Sequence, residues 1–405
     1  MKHRLLYGIV RWACVRRCPR LVLSPSRRAF SEVSAPPSGA LKQWTVVVSS
    51  FVKIKCCLHC NISVRPLDPH AFPGADRAFI TLLGSCDVQD FSLDSFHVHY
   101  DDQSKELSIR SSDESSSNMS VELTTPIKSD LQVVTQGTGN VRIQNMESDL
   151  CRVQTERGHC VLQSVKSHKV QIQSGGGDII GMGTIHGDVD ISAAGDSSVD
   201  IKKMQGTAMS VSTEHGPLKV KAIYAESSLV ASSSGKIHIG HLHGEARVQS
   251  DRGDVIIDSS SGALTAVTNA GNIDVYVSQT GTADLHTQQG AVSIRVPATM
   301  KAGVQLCGTT VDISSELSQE AEHHPAEGRT VVVAQLNSGT EEDCWIKATA
   351  ERGTSAVRRR TKAAACLGNK KKILFVLFKL LLFTVLLTSI FRAKFSFIKL
   401  VTQLV

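Results

Sequence analysis

The middle of the chain alternates apolar and polar residues in short runs that recur at a nearly constant spacing. Within residues 131–300, an anchor residue returns every 18 to 20 positions, and apolar side chains tend to follow it two and four places later. The anchors are small residues: Gly139, Gly158, Gly177, Ser197, Gly216, Gly235, Gly253, Gly271 and Gly290. Alternation with a period of two predicts strands with one buried face, and a small residue before each strand predicts a tight corner.

A second series of small residues is offset by about half a period and precedes a second set of alternating runs. Its members are Gly187, Gly206, Ala225, Gly244, Gly262 and Gly281. Two short strands in each period predict one coil with two corners, and such coils stack through parallel strand hydrogen bonds. A β-sandwich of regular hairpins is the alternative, but it does not require a fixed offset between the two series.

The fold class that follows is all-β. We expect a parallel β-solenoid of about nine coils, with a period of about 19 residues and two short strands per coil. Residues 131–300 hold 20 of the 30 glycines and only two aromatic residues, which fits a narrow interior. Strand-like runs on either side predict β-rich capping regions, an N-terminal cap over 41–130 and a C-terminal cap over 301–351.

The two ends of the sequence differ from the middle in charge. Residues 1–30 contain eight Lys and Arg residues and no acid, and residues 352–405 contain twelve and no acid. The remainder, 31–351, holds 24 basic residues against all 38 acidic ones. An acidic body excludes a broad basic surface for nucleic acid, so we expect an unknown protein or glycan partner instead.

The composition of the N-terminal segment predicts a targeting signal. Its basic residues alternate with Leu, Ile and Val, and it ends Arg28-Ala29-Phe30-Ser31, as mitochondrial presequences with a matrix-protease site do. A disordered basic N-terminus is the alternative. We therefore expect 1–30 to be a presequence, 31–40 a linker, and the protein to be mitochondrial, in the matrix or associated with the inner membrane.

The C-terminal segment predicts a membrane helix. Residues 373–391 are nineteen predominantly apolar residues with one charge, Lys379, which is long enough for a bilayer core of roughly 30 Å. A basic linker at 352–372 precedes them and a basic C-terminus at 392–405 follows. The alternative is a variable final segment with no folded role.

Candidate chemistry is sparse. Three histidines, His238, His241 and His243, are weak metal candidates, with solvated surface histidine as the alternative. Cys57 and Cys60 with His59 between them offer at most part of a zinc site, because no second Cys-x-x-Cys follows. We predict no catalytic residue and no cofactor.

Carboxylates matter because solenoid enzymes that cleave polysaccharides need a cluster of them on one face. The nearest candidates are Asp178, Asp188, Asp190, Asp254 and Asp274. Asp178 and Asp254 directly follow anchor glycines, and Gly-Asp is also an ordinary turn pair. Carboxylates shared by adjacent coils would favour an enzyme, and scattered carboxylates would favour a scaffold.

Longer segments carry a resemblance to known proteins. VELTTPIKSDLQVVTQGTGNVRI at 121–143 and the repeated G-x-V-x-I elements resemble the putative-adhesin family of β-solenoid domains. SVKSHKVQIQSGGGDII at 164–180 and WIKATAERGT at 345–354 resemble the animal family with sequence similarity 185. The resemblance covers roughly 41–357 and implies a solenoid without assigned catalytic residues.

The function that we predict is therefore a non-catalytic mitochondrial β-solenoid that acts as an interaction or scaffold surface. Two alternatives stay open. One is a carbohydrate-active solenoid enzyme, and the other is a membrane-tethered adapter held through 373–391.

Overall fold

A computed structural model describes residues 39–84, 95–112, 119–278, 281–314, 318–326, 328–337 and 344–359. These ranges form strands and turns without an α-helix. The strands are β1 Ala40–Val47, β2 Lys53–Leu58, β3 Asn61–Pro66, β4 Arg77–Leu83, β5 Phe96–Asp101, β6 Glu106–Ser111, β7 Ser120–Thr125, β8 Asp130–Thr135, β9 Val141–Gln144, β10 Glu147–Thr155, β11 Cys160–Gln163, β12 Val165–Ser174, β13 Ile179–Ala193, β14 Val199–Thr213, β15 Leu218–Ser232, β16 Ile237–Arg252, β17 Val255–Ser261, β18 Ala263–Ala270, β19 Ile273–Val277, β20 Thr282–Gln289, β21 Val292–Val296, β22 Ala302–Gly308, β23 Thr310–Ile313, β24 Ser318–Ala326, β25 Arg329–Leu336, β26 Cys344–Ala350 and β27 Thr354–Arg359.

The strands from β8 to β21 wind as a parallel solenoid, which confirms the predicted fold class. Each strand pairs in parallel with its equivalents one coil before and one coil after, so Cys151 lies between Leu131 and Val170. Within the described residues of this stretch, nine coils stack. Val, Ile and Leu fill the interior, and Ile239 and Ile257 lie directly opposite each other on neighbouring coils.

The run that follows an anchor glycine forms the first side of a coil, and the run that follows the second corner forms the second side. The central coils also have a third, short side between these two, which alternation along the sequence does not reveal. The strands β13 to β16 each run for 15 or 16 residues through the second corner, so that one strand supplies all sides of a coil. A single inward residue marks the short side, and these residues form a buried column: Met146, Val165, Ile185, Met204, Ile223 and Leu242. One inward residue per side gives no period-two signal, which is why the sequence predicts only two strands per coil.

The anchor glycines form a ladder at the first corner because successive backbones pass too close for a side chain. A Cβ atom on Gly158 would lie 1.8 Å from the Gly139 carbonyl oxygen, and one on Gly177 would lie 2.1 Å from that of Gly158. At the second corner, Gly187 and Gly244 have φ angles of 125° and 99°, which favour glycine. Both predicted series of corners therefore have a steric cause.

A serine three residues before the anchor glycine bonds to that glycine at some of the first corners, whereas the hydroxyls of Thr155 and Thr268, in the equivalent place, have no hydrogen-bond partner. The Gly235 amide donates to Ser232 Oγ over 2.9 Å, and the Gly177 amide donates to Ser174 Oγ over the same distance. These hydroxyls are buried, so they satisfy backbone groups that would otherwise lose their bonds to water. The pattern Ser-x-x-Gly is thus a corner motif of this chain.

Replacing Ser232 with Ala is expected to destabilise the fold by about 1–2 kcal/mol, because the buried Gly235 amide loses its acceptor. Ser228 provides the matched control, since it is equally buried but its Oγ has no hydrogen-bond partner. Ser228→Ala should therefore be neutral or stabilising. Urea unfolding of both variants is the measurement, and equal losses would contradict this account of the corner.

The first coil in sequence is not the first coil in space. The strands β2 and β3 each pair in parallel on both edges, β2 with β6 and β8, and β3 with β7 and β9. The coil β6/β7 therefore lies outside the coil β2/β3. Antiparallel strands then cover this end, β5 on β6, β4 on β7 and β1 on β4. Aromatic residues of the N-terminal cap pack at this end, where the rings of Trp44 and Phe96 stack with their centroids 4.9 Å apart.

The C-terminal end repeats this arrangement. The strand β26 pairs in parallel with both β20 and β22, and β27 with both β21 and β23. The last coil in sequence, β26/β27, is thus inserted between β20/β21 and β22/β23. The antiparallel strand β25 covers β22, and β24 pairs with β25. At both ends, antiparallel strands therefore protect sheet edges that the coils would leave open.

No helix within the described ranges is long and apolar enough to cross a membrane. The predicted presequence at 1–30 and the predicted span at 373–391 lie outside the described residues.

Candidate functional site

At several of the first corners, the side chain of the residue that follows the anchor position accepts from the backbone of the next coil, which forms a second ladder. Asn61 Oδ1 accepts from the Asn140 amide over 2.9 Å, and Asn140 Oδ1 accepts from the His159 amide over 2.7 Å. The Asp178 amide then donates to His159 Nδ1 over 3.0 Å. Because Nδ1 accepts this bond, its 3.4 Å approach to the Asp178 carboxylate is not an ion pair. Pro217, at the equivalent place two coils after Asp178, has no amide N–H and interrupts the ladder.

Asp178 belongs to this ladder. Its Oδ1 accepts from the Ser198 hydroxyl over 2.7 Å and from the Ser198 amide over 2.8 Å. These hydrogen bonds, first the one from the hydroxyl, hold the pKa of the carboxyl below its usual value. A carboxyl of low pKa is a poor proton donor near neutral pH, which disfavours a role as general acid.

The stabilising effect of Asp178 is expected to depend on pH. Since the folded pKa is lowered, the contribution is present above the unfolded pKa of about 3.9 and is lost as the pH falls through the folded value. Asp178→Ala should therefore cost more stability at pH 6 than at pH 3. The Ser198→Ala background should shrink this difference, and a cost that is equal at both pH values would exclude the hydrogen-bonded carboxylate as its origin.

The other candidate carboxylates are scattered. Asp254 accepts from the Asn272 amide at the first corner, as Asp178 does from Ser198, and Asp274 binds Arg295 at 3.0 Å on the first side. Asp188 accepts from the Ala208 amide beside the second corner. Asp190 faces solvent two residues further along the same strand. Only Asp188 and Asp190 share a face, and Ser210 occupies the position of Asp190 on the next coil.

The three candidate histidines have separate partners. His238 Nε2 is 3.0 Å from the Asp258 carboxylate, while the His243 ring stacks on Tyr224 at 4.5 Å and its Nδ1 is 2.6 Å from Ser261 Oγ. His241 is exposed. Among the described His, Cys, Asp and Glu residues, no three form a group that could hold a metal ion.

The cysteine cluster is divided between two faces of the sheet. Cys56 and Cys60 point inward, and burial raises the pKa of each thiol to about 12. Cys57 is half-buried on the outward face of β2, and His59 has a buried Nδ1 without a partner. Protonated thiols are weak metal ligands and weak nucleophiles, so the geometry does not favour the suggested partial zinc site.

A groove of about 800 Å³ runs along the second corner, a feature that sequence periodicity does not reveal. Its wall at the N-terminal end carries Phe51, whose side chain is 64% exposed, with Lys128 Nζ 5.4 Å from the ring centre. Charged residues of both signs continue along it, including Asp149 and His168, 3.0 Å apart. Phe51 lies in the turn between β1 and β2, and an exposed aromatic ring beside a groove with charged walls is suited to contact with a protein partner.

These observations define the chain as a parallel β-solenoid with closed ends. The family model named Toastrack DUF4097 matches residues 182–340, which begin within β13 and extend beyond β25.

Several solved structures are similar to this chain. One is a putative adhesin from Parabacteroides merdae, with 10% identity, a TM-score of 0.33, and coverage of 79% of this chain and 98% of the other. A putative adhesin from Bacteroides fragilis has 14% identity and a TM-score of 0.24, covering 80% and 99%. A putative cell adhesion protein from Clostridium sporogenes has 6% identity and a TM-score of 0.14, covering 79% and 99%.

Proposed function

We propose that this protein is a non-catalytic scaffold of the Toastrack type, which binds a protein partner through the groove beside Phe51. The observation that carries this proposal is the 64% exposure of the Phe51 ring in the wall of the groove along the second corner. The sequence resemblance to member A of the animal family with sequence similarity 185 fits the same interpretation, since it implies a solenoid without assigned catalytic residues.

The carboxylates support a scaffold over a carbohydrate-active enzyme. Glycoside hydrolysis needs two carboxyl groups that face one bond, one of them able to donate a proton. Asp178 and Asp254 are engaged by backbone amides at the corner, and Asp274 is paired with Arg295. Asp188 also accepts a backbone amide, which leaves Asp190 without a second free carboxylate beside it.

On the second side, the outer side chains of β10 and β12 bond to one another along the stack. Arg152 donates to Gln171 over 2.6 Å, and Gln154 donates to Gln173 over 2.8 Å. Such ladders order the surface before a partner arrives and so reduce the entropy lost on binding.

The proposal is tested by proximity labelling in cells with the full-length chain fused to a labelling enzyme. Phe51→Ser should lose a defined set of labelled proteins that the wild type retains. Ile180→Ser is the matched control, because Ile180 is also exposed but lies on the first side. If Phe51→Ser changes nothing, or if both variants lose the same proteins, the groove is not the docking site.

We propose a mitochondrial location from the N-terminal composition, eight basic residues and no acid in 1–30. Removal of this segment is expected to leave a mature protein that begins near Ser31. N-terminal sequencing of the protein from its native compartment tests whether this segment is removed, and an intact Met1 would overturn the proposal.

Association with the inner membrane through 373–391 is a separate proposal, carried by nineteen residues with a single charge. Carbonate extraction should leave the full-length protein in the membrane fraction and release a version that ends at Arg360. Complete release of both would exclude the anchor and leave the groove proposal unaffected.

A further inference from the structure

A smaller cleft lies on the first side of the central coils, away from the Phe51 groove. It has a volume of about 310 Å³, at the lower end of the range for small-molecule sites. Lys202, Lys219 and Lys221 line it together with His238 and Asp258, on the strands β14 to β17. Three lysines in so small a space contrast with the acidic body of the chain.

The register places two of these lysines side by side. Ile201 pairs with Val220 and Met204 with Ile223, both at an offset of 19 residues, so Lys202 and Lys221 occupy the same position on adjacent coils. Gly240 holds this position on the following coil, by the same reasoning from Val220↔Ile239 and Ala222↔His241. The glycine has no side chain and leaves the cleft open at this point.

The acids of the cleft already have partners. Asp200 lies 3.7 Å from Lys219, and Asp258 lies 3.0 Å from His238. Among the described residues, neither Lys202 nor Lys221 has an acidic partner within ion-pair distance. Like charges directly opposite each other on neighbouring strands are destabilising, so this pair lowers stability unless an anion neutralises it.

We propose that this cleft binds a small anion that carries a phosphate group, with Lys202 and Lys221 as its main ligands. Two ammonium groups on adjacent strands can reach one dianionic group from two sides, and lysine is a common phosphate ligand. Lys219 lies two residues before Lys221 on the same face of β15. It can add a third donor, although it is also paired with Asp200.

The extent of the basic patch argues for a small anion over a polymer. The column of Lys202 and Lys221 continues with Gly240 and then with the acidic Asp258, because Ile239 pairs with Ile257. In the column of Lys219, His238 is followed by Ile256 and then by Asp274. Basic side chains therefore span about two strand spacings, roughly 10 Å, whereas nucleic acids and sulfated glycans need a longer track of cations.

The test is calorimetric titration of the full chain with inorganic phosphate and with pyrophosphate at low salt. Binding to the wild type is expected, with affinity at least tenfold weaker in Lys202→Gln/Lys221→Gln. Lys169→Gln/Lys347→Gln is the matched control, since it removes the same charge from two exposed lysines outside the cleft, on β12 and β26, and should bind within twofold of the wild type. Thermal melts with and without pyrophosphate give a second readout that does not depend on heats of binding.

A stability measurement distinguishes binding at this cleft from a general attraction of anions to the protein. Without ligand, Lys221→Gln should melt above the wild type at low salt because the like-charge pair is gone, and pyrophosphate should remove this difference. Equal weakening in both double variants, no shift with either anion, or binding of heparin without binding of pyrophosphate would each overturn the proposal.

Discussion

A chain that ends at Asn337 is expected to lose the cooperative unfolding of its C-terminal coils. The deletion removes β26/β27, which lies between two other coils and contributes the fully buried residues Ile346, Ala350 and Val357. Burial of one such aliphatic side chain is worth about 1.5–3 kcal/mol, so the loss of several, with both neighbouring interfaces, is comparable to the whole stability of a domain.

The matched comparison is a chain that ends at Arg359, which retains every described strand. It should unfold in a single transition, whereas the chain that ends at Asn337 should show an earlier or broader one. Urea titration followed by circular dichroism makes the comparison. Identical transitions would mean that β26/β27 is not an internal coil.

Ile179→Lys is expected to destabilise the fold by roughly 3–5 kcal/mol, because it places an ammonium group without a partner in the interior. Ile179 is fully buried between Cys160 and Val199, its equivalents on the neighbouring coils. The cost combines the desolvation of the charge with the loss of apolar burial.

The adjacent residue supplies the control. Ile180 is 36% exposed and lies opposite Asp200, so the same substitution places the ammonium group in solvent near a carboxylate. Ile180→Lys should change stability by no more than about 0.5 kcal/mol. Comparable losses at the two positions in thermal melts would refute the alternation of inward and outward residues.

The repeated coils could be predicted from the sequence because two physical requirements recur at fixed spacing. The close passage of backbones at the corner requires a small residue, and the narrow interior requires alternating aliphatic residues. The ladder of anchors continues where the periodicity ends, since a Cβ atom on Gly353 would lie 1.8 Å from the Gly290 carbonyl oxygen.

The order of the end coils could not be read from spacing, because 63 residues separate Gly290 from Gly353. A local signal did exist. Glu351-Arg352-Gly353 repeats the triplets that end at Gly158 and Gly253, and it marks a first corner. Similarly, the candidate sites depend on which residues meet across coils. His238 can be identified in the sequence, but its pairing with Asp258, 20 residues later, depends on how the neighbouring coils align.

The insertion of β26/β27 has a consequence for the order in which the protein folds during synthesis. At the N-terminal end, the internal coil β2/β3 is made first, and its two neighbours can add to its free edges as they emerge. At the C-terminal end the internal coil is made last. About 46 residues separate Ile313 from Arg359, which is a few seconds of translation at roughly 5–20 residues per second.

During that interval β22/β23 has no native neighbour on its inner edge, while β20/β21 offers an open one. Gly308 follows Gly290 by 18 residues, a spacing found between ordinary consecutive coils, so direct stacking of the two is a competing arrangement. The nascent chain must either avoid this direct stacking or break it before β26/β27 can insert between the two coils. The closing step of folding therefore waits for the end of the solenoid sequence, and it depends on pairings between residues far apart in the chain, which form slowly.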